Sequence, residues 1–248
     1  MSLLSNLAKT ADETINNEKD TVGGGGVLDS ALYPATIDIA YLEKKQSGAL
    51  FLNVHLKTDD GRMHREGLCI ASGDAKGNKS YYEKNGQRFF LPGFNHASSM
   101  ALLSAGKELA EMDTEKKTIK LYNFDAGKEM PQDVDMVTDL VGQRIIVGLQ
   151  KQIVDKRQKN DQTGTYEATG ETREVNEIDK VFRERDRLTT AEVRAGAEEA
   201  TFYATWDAKW TGQVRNKASA ANDASNGGGV AGVPKSGGST KPKSSLFS

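Results

Sequence analysis

Apolar and polar residues alternate from Ile37 to Val154, and one helical stripe interrupts the pattern. This period of two most limits what the chain can become, because it places every second side chain on one face of a strand. Ile37, Ile39 and Tyr41 share a face. In the next strand Leu50, Leu52, Val54 and Leu56 make the apolar side, leaving Phe51, Asn53, His55 and Lys57 on the other. Asp59-Asp60-Gly61-Arg62 is a turn signal, and His64 to Ala71 follows as a third strand. Ser72 to Asn85 is expected to be an extended loop or a projecting hairpin, with Gln87 to Leu91 returning to extended backbone before Pro92-Gly93.

The period then changes. Ala97 to Met112 sets Ala101, Leu102, Ala105, Leu109 and Met112 on one stripe, which predicts an amphipathic helix. Thr118 to Tyr122 reads as a strand, Asn123 to Asp139 as an acidic, irregular excursion, and Val141 to Val154 as a last long strand. Thr165 to Thr172 can pair back on it through a turn near Gly164. The order strand, strand, strand, helix, strand, strand matches a mainly β, five-stranded oligonucleotide-binding (OB) barrel, whose sheet face and loops grip single strands.

Flanking segments differ in composition. Residues 1–26 are expected to hold a short helix, from about residue 2 to 19, and a glycine joint at Gly23 to Gly26; 27–175 the barrel with its long loops; and 176–212 a helical extension. In that extension Thr189 and Glu192 have capping-box spacing. Phe202, Trp206 and Trp210 share one side of a helix over Ala200 to Lys209, and the rings are expected to dock it on the barrel or a partner subunit. Residues 213–248, rich in Gly, Ser, Asn, Lys and Pro, have little to bury and are expected to be disordered.

Enzyme chemistry finds no constellation. The three histidines, His55, His64 and His96, lie outside any zinc-ligand spacing, and the single cysteine, Cys69, can form neither an intrachain disulfide nor a thiolate metal site. No phosphate loop, nucleophile elbow or dinucleotide fingerprint appears. The chain is therefore expected to be no enzyme and to carry no cofactor and no metal. No apolar run approaches the length of about 20 residues needed to cross a bilayer, so no membrane role is expected.

The net charge of -2 rules out polyanion binding through bulk charge, so a nucleic-acid role requires a local groove. Exposed rings stack on bases whatever their sequence, and lysine or arginine neutralises phosphates. The stacking candidates are Tyr41, Phe51, Tyr81, Tyr82, Phe89 and Phe90. The phosphate candidates are Arg62, Arg65, Lys76, Lys79, Lys84, Arg88, Arg144 and Lys151.

Tyr81-Tyr-Glu-Lys-Asn-Gly-Gln-Arg-Phe-Phe-Leu-Pro-Gly-Phe-Asn95, the segment after it, Asn176-Glu-Ile-Asp-Lys-Val-Phe182 and Leu188-Thr-Thr-Ala-Glu192 resemble the single-stranded DNA-binding proteins of lytic, podovirus-like tailed bacteriophages. That resemblance, over about residues 30 to 212, implies an OB-fold that coats and protects single-stranded DNA during phage DNA replication, recombination and repair. It implies a place in the cytoplasm of the infected host, with phage replication or recombination proteins and self-association among its contacts. The chain departs from many replication-type binders in its end, since Lys241-Pro-Lys-Ser-Ser-Leu-Phe247 is not acidic. Two alternatives are a recombination mediator that anneals strands and a non-enzymatic protein-interaction barrel.

Overall fold

A computed structural model describes residues 26–123, 126–160, 162 and 164–219. The helix expected in residues 2–19, Gly23 to Gly25 of the glycine joint, and the tail from residue 220 lie outside them. Ten strands form an eight-stranded and a two-stranded sheet. β1 (Ala31–Lys44), β2 (Leu50–Thr58) and β3 (Met63–Ala71) make an antiparallel meander. β4 (Tyr81–Lys84) and β5 (Gln87–Phe90) form a separate hairpin. Helix α1 (Pro92–Met100) comes next, then β6 (Thr114–Asn123), β7 (Lys128–Val137), β8 (Arg144–Lys159) and β9 (Tyr166–Arg183). Helices α2 (Thr190–Arg194) and α3 (Thr201–Trp210) and the short β10 (Val214–Asn216) complete the chain described.

β1 is the hub. One edge pairs with β2, while the other pairs with β8 over Ala31 to Thr36 and then with β7 at Tyr41 and Leu42. The switch is enabled by a bulge between Ile37 and Ile39, which adds Asp38 without a partner on β2 and bends the strand. β8 in turn carries β1, the long strand β9 and the parallel strand β10. The predicted return of Thr165 to Thr172 onto β8 is seen, with Lys159 opposite Tyr166 and Asp155 opposite Thr172.

This architecture corrects the expected five-stranded closed barrel: the domain is mixed α/β with two open sheets. Closure would require β3 to pair with β9, and those strands share no backbone ladder. Two side chains bridge the seam to β9 backbone groups instead. Glu66 on β3 accepts from the Ile178 N–H of β9 at 2.8 Å, and His96 of α1 lies 3.2 Å from the Asp179 carbonyl. Because α1 seats itself on β3 at Gly93, where a Cβ would fall 2.5 Å from the Cys69 carbonyl oxygen, helix occupies the place a fifth strand pair would need.

Local chemistry explains the other departures. The helix begins earlier than its apolar stripe because Pro92 stands at its first turn, a position that wants no N–H. It ends earlier too: a single π turn over Ala101–Ala105 stops at Gly106 in the left-handed region, φ 70°. Asn123 to Asp139, expected to be irregular, is mostly β7. Gln213 to Ser219, expected in the tail, include β10 and run back along β8.

The main core lies between the meander and β8–β9, under α1. Ile37, Leu52, Val54, Leu56, Ile145, Leu149, Ile178 and Met100 are fully buried there. α3 covers the opposite face of β1 and β8, where Trp206 packs with Ile146 and Phe182. The indole fits because β8 has Gly148 beneath it; a Cβ there would sit 2.7 Å from the ring. Its Nε1 donates to Asp179 Oδ2 at 2.7 Å. Burying roughly 200 Å² of indole contributes about 5 kcal/mol, so α3 is a structural strap and Trp206 is no base-stacking ring.

Candidate nucleic-acid interface

On β2 the outward face of the meander follows from the alternation, whereas on β1 the bulge between Ile37 and Ile39 splits the expected shared face, leaving Ile37 in the core and turning Ile39 and Tyr41 to the outside. Leu52, Val54 and Leu56 point into the core, so Phe51, Asn53, His55 and Lys57 point away from it. Pairing register sets three rows across the sheet: Glu43, Phe51 and Cys69; Tyr41, Asn53 and Gly67; Ile39, His55 and Arg65. Tyr41 meets the His55 ring edge-on at 6.2 Å. Burial raises the Tyr41 hydroxyl pKa and lowers that of His55, with Arg65 adding to the depression of the imidazole. Both rings are thereby neutral near pH 7.

Glu43 organises this face. Its Oε1 accepts from Lys45 Nζ at 2.5 Å and its Oε2 from Asn53 Nδ2 at 2.9 Å, and Lys45 Nζ sits 5.8 Å from the Phe51 ring centre. Burial pushes the Glu43 carboxyl up, but these two hydrogen bonds outweigh it and hold the pKa below its ordinary value. The amide of Asn53 is consequently fixed with its nitrogen toward β1.

Beyond Cys69 the face runs into a groove of about 630 Å³, lined among others by Ser47, Cys69, Lys76, Lys79, Tyr81 and Tyr82. Its far wall is the β4–β5 hairpin, closed by Asn85 and Gly86, both with positive φ as a tight two-residue turn demands. Tyr82 and Phe89 are directly opposed on one side of the hairpin and stack at 5.7 Å, exposed by 45% and 41%. Tyr81 and Phe90 take the other side. Tyr81 is contacted by Lys79 and Arg88, at 5.6 and 4.9 Å, and Phe90 stacks on Phe94 of α1 at 4.9 Å. Of the six ring candidates, Tyr81 and Tyr82 line the groove, Phe89 and Phe90 pair with them across the hairpin, and Tyr41 and Phe51 lie on the sheet face.

The cation candidates divide. Among the described residues Arg65, Lys76, Lys79 and Lys84 form no ion pair, and all four belong to β3, the groove or the hairpin. Arg88 reaches Glu83 at 3.1 Å beside Tyr81. The remaining three are engaged elsewhere. Arg144 grips Asp59, with 2.9 Å from Nη2 to Oδ2, and donates through Nε to Glu184 at 2.7 Å. Lys151 lies 3.2 Å from Glu174, and Arg62 donates to Asp60 at 2.9 Å while covering the Tyr33 ring. Arg144 and Lys151 are therefore fold-holding residues, and their carboxylate partners would repel a phosphate.

Sequence reasoning missed Lys45 and Phe94. Phe94 stands two residues after Pro92 in a helix, and its spacing from Phe90 was the available signal. Lys45 carried none, because its value comes from the β1–β2 turn that folds it over Phe51. Further along, a groove of about 640 Å³ between the end of β1 and the β6–β7 hairpin shares Tyr41 and Asn53 with the sheet face. It contains Lys44 as well as Asp133 and Asp135.

No cluster of three or more histidine, cysteine or carboxylate side chains suited to a metal occurs among the described residues. Cys69 is a free, half-buried thiol. Among the same residues no helix is long and apolar enough to cross a membrane. The resemblance to bacteriophage single-stranded DNA-binding proteins does not hold, since the closed barrel it implied is absent, and the replication, recombination and repair roles drawn from it lose their support. No protein-family model and no curated protein matches the chain.

Proposed function

We propose that the protein binds single-stranded DNA without sequence preference along the band from Tyr41 to Phe90. The observation that carries this reading is the juxtaposition of the solvent-facing Tyr82–Phe89 stack with Lys76 and Lys79, which share a groove with Tyr82, and with Lys84 on the same strand, none of which has an acidic partner among the described residues. A contiguous pair of large rings left in water is poorly explained by the fold alone, and unpaired cations beside it are free to take a phosphate. A single strand answers both needs, since its bases are free to stack on rings and its phosphates take the ammonium and guanidinium groups. A duplex hides its base faces and would gain only the phosphate part.

Each phosphate neutralised releases condensed counterion, giving a slope of about -0.7 in log affinity against log salt per contact on a single strand. Four unpaired cations predict a slope of about -3. Fluorescence anisotropy of a labelled oligo(dT), read between 50 and 200 mM salt with a duplex control, tests the proposal. Salt-sensitive binding that favours the single strand supports it. Absence of binding at micromolar protein in 50 mM salt, or equal affinity for duplex, overturns it.

A further inference from the structure

We infer that Asp74 is a positioning residue for the single-strand site: its side chain pins the loop that carries Lys76 and Lys79 onto the turn between β1 and β2. The inference rests on the single-strand reading and deepens it. An acid in a loop that meets phosphates would, by charge alone, oppose binding. Asp74 does not offset that cost by holding a lysine, since it forms no ion pair among the described residues. Its placement gives it a different task. Gly73 and Ala75 line the groove on either side of it, whereas Asp74 does not. The carboxylate turns the other way and lies against Gly48, where a Cβ would fall 2.3 Å from Asp74 Cγ.

The loop is closed at its base and held from the side. At the base the Ser72 N–H donates to the Lys79 carbonyl at 2.9 Å, and the Lys79 N–H donates to Ser72 Oγ at 2.9 Å. From the side, the Asp74 N–H donates to the Ser47 carbonyl at 2.9 Å, an approach so close that a Cβ on Gly73 would meet that oxygen at 2.4 Å. Asp74 Oδ1 then accepts from Asn78 Nδ2 at 2.8 Å, fixing a bend whose Asn78 has a left-handed φ of 52°. One side chain thus joins the β1–β2 turn at Gly48 to the 3-10 turn of Asp74–Lys76 and to the bend that leads into Lys79. Ser47 and Ala49 line the groove from the turn, and Lys76 and Lys79 line it from the loop. Lysines on a loop already held at the groove lose less freedom on taking a phosphate than lysines on a loose one.

Oligo(dT) anisotropy over the same salt range, with full-length Asp74→Ala, Asp74→Asn and Gly48→Ala, tests the assignment. Asp74→Ala frees the loop, so despite removing a negative charge it should cost about one phosphate contact. The salt slope becomes shallower by about 0.7, and affinity near 0.1 M salt falls about fivefold. Asp74→Asn keeps the acceptor for Asn78 and should bind as the parent does or slightly tighter. Gly48→Ala leaves every charge in place, but its Cβ displaces the carboxylate, and it should repeat the loss of Asp74→Ala. Asp74 is exposed, so the melting temperature of Asp74→Ala should stay within a few degrees of the parent. Tighter binding by Asp74→Ala overturns the positioning role, because lost repulsion alone gives that result. Parent-like affinity and slope in Asp74→Ala also overturn it and leave single-strand binding standing. Equal loss in Asp74→Asn, or weaker binding at the parent's slope, overturns it as well, assigning the effect to charge or to general loosening. If Asp74→Ala does not fold, Gly48→Ala decides. Failure of the parent protein to bind oligo(dT) removes the function and the positioning role together.

Discussion

Glu66 Oε2 accepts the Ile178 N–H at 2.8 Å, joining two strands, β3 and β9, that never pair through their backbones. The same oxygen lies 2.9 Å from His64 Nε2, and both side chains are largely buried. Removing the acceptor leaves a buried donor unsatisfied, which costs about 1–3 kcal/mol. Glu66→Ala should lower the free energy of unfolding, read from urea melts, by that amount, and Glu66→Gln, which keeps an acceptor, by clearly less. Equal loss in the two variants would show that the seam is held by packing instead.

Tyr82 and Phe89 are predicted to bind without supporting the fold. Their rings are nearly half exposed, so Tyr82→Ala with Phe89→Ala should leave the thermal transition within a few degrees of the parent. Affinity for oligo(dT) should fall by about 1–3 kcal/mol for each stack lost. A collapse of cooperative melting would instead identify the pair as part of the core.

Arg65 and Arg144 should separate cleanly. Arg65→Ala is expected to make the salt slope shallower by about 0.7, one phosphate contact, with little change in stability. Arg144→Ala should leave the slope alone and reduce stability, since it abandons Asp59 and Glu184 together. Salt titrations and urea melts of both variants read the two effects.

His96 makes stability depend on mild acid. Burial lowers its pKa, and this outweighs Glu66, the Asp179 carbonyl and carboxylate, and Glu177, all of which favour the charged ring. The unfolded chain, with a histidine pKa near 6.5, then takes up the proton first. Stability is complete above about pH 6.5 and declines as pH falls through the depressed folded value. His96→Gln should flatten the urea midpoint between pH 7 and 5.5; an unchanged slope would assign the loss to other groups.

The meander was legible in the sequence because Leu50, Leu52, Val54 and Leu56 obey a period of two that neighbouring charge does not blur. β7 was not, as Pro131 and its acidic residues look irregular. The proline is tolerated because β7 pairs only with β6 there and reaches β1 only at Asp135 and Met136, which leaves its other edge open. Closure was misjudged for a different reason. Whether β3 meets β9 is decided by Glu66, His96 and Gly93 acting across as many as 112 residues, a relation that no local pattern encodes.

The ring candidates were visible as residue types, whereas the availability of cations was not. Arg144 and Arg65 look alike in sequence. Only the fold brings Asp59 and Glu184 to one and leaves the other bare.

The most direct measurement is photo-crosslinking of the full-length protein to a bromodeoxyuridine-substituted single strand, with the joined peptides mapped by mass spectrometry. Crosslinks at Tyr41, Phe51, Tyr82, Phe89 or Phe90 are the predicted result. Crosslinks confined to surfaces remote from the band, such as Tyr166 near the far end of β9 or Phe202 on α3, would contradict it.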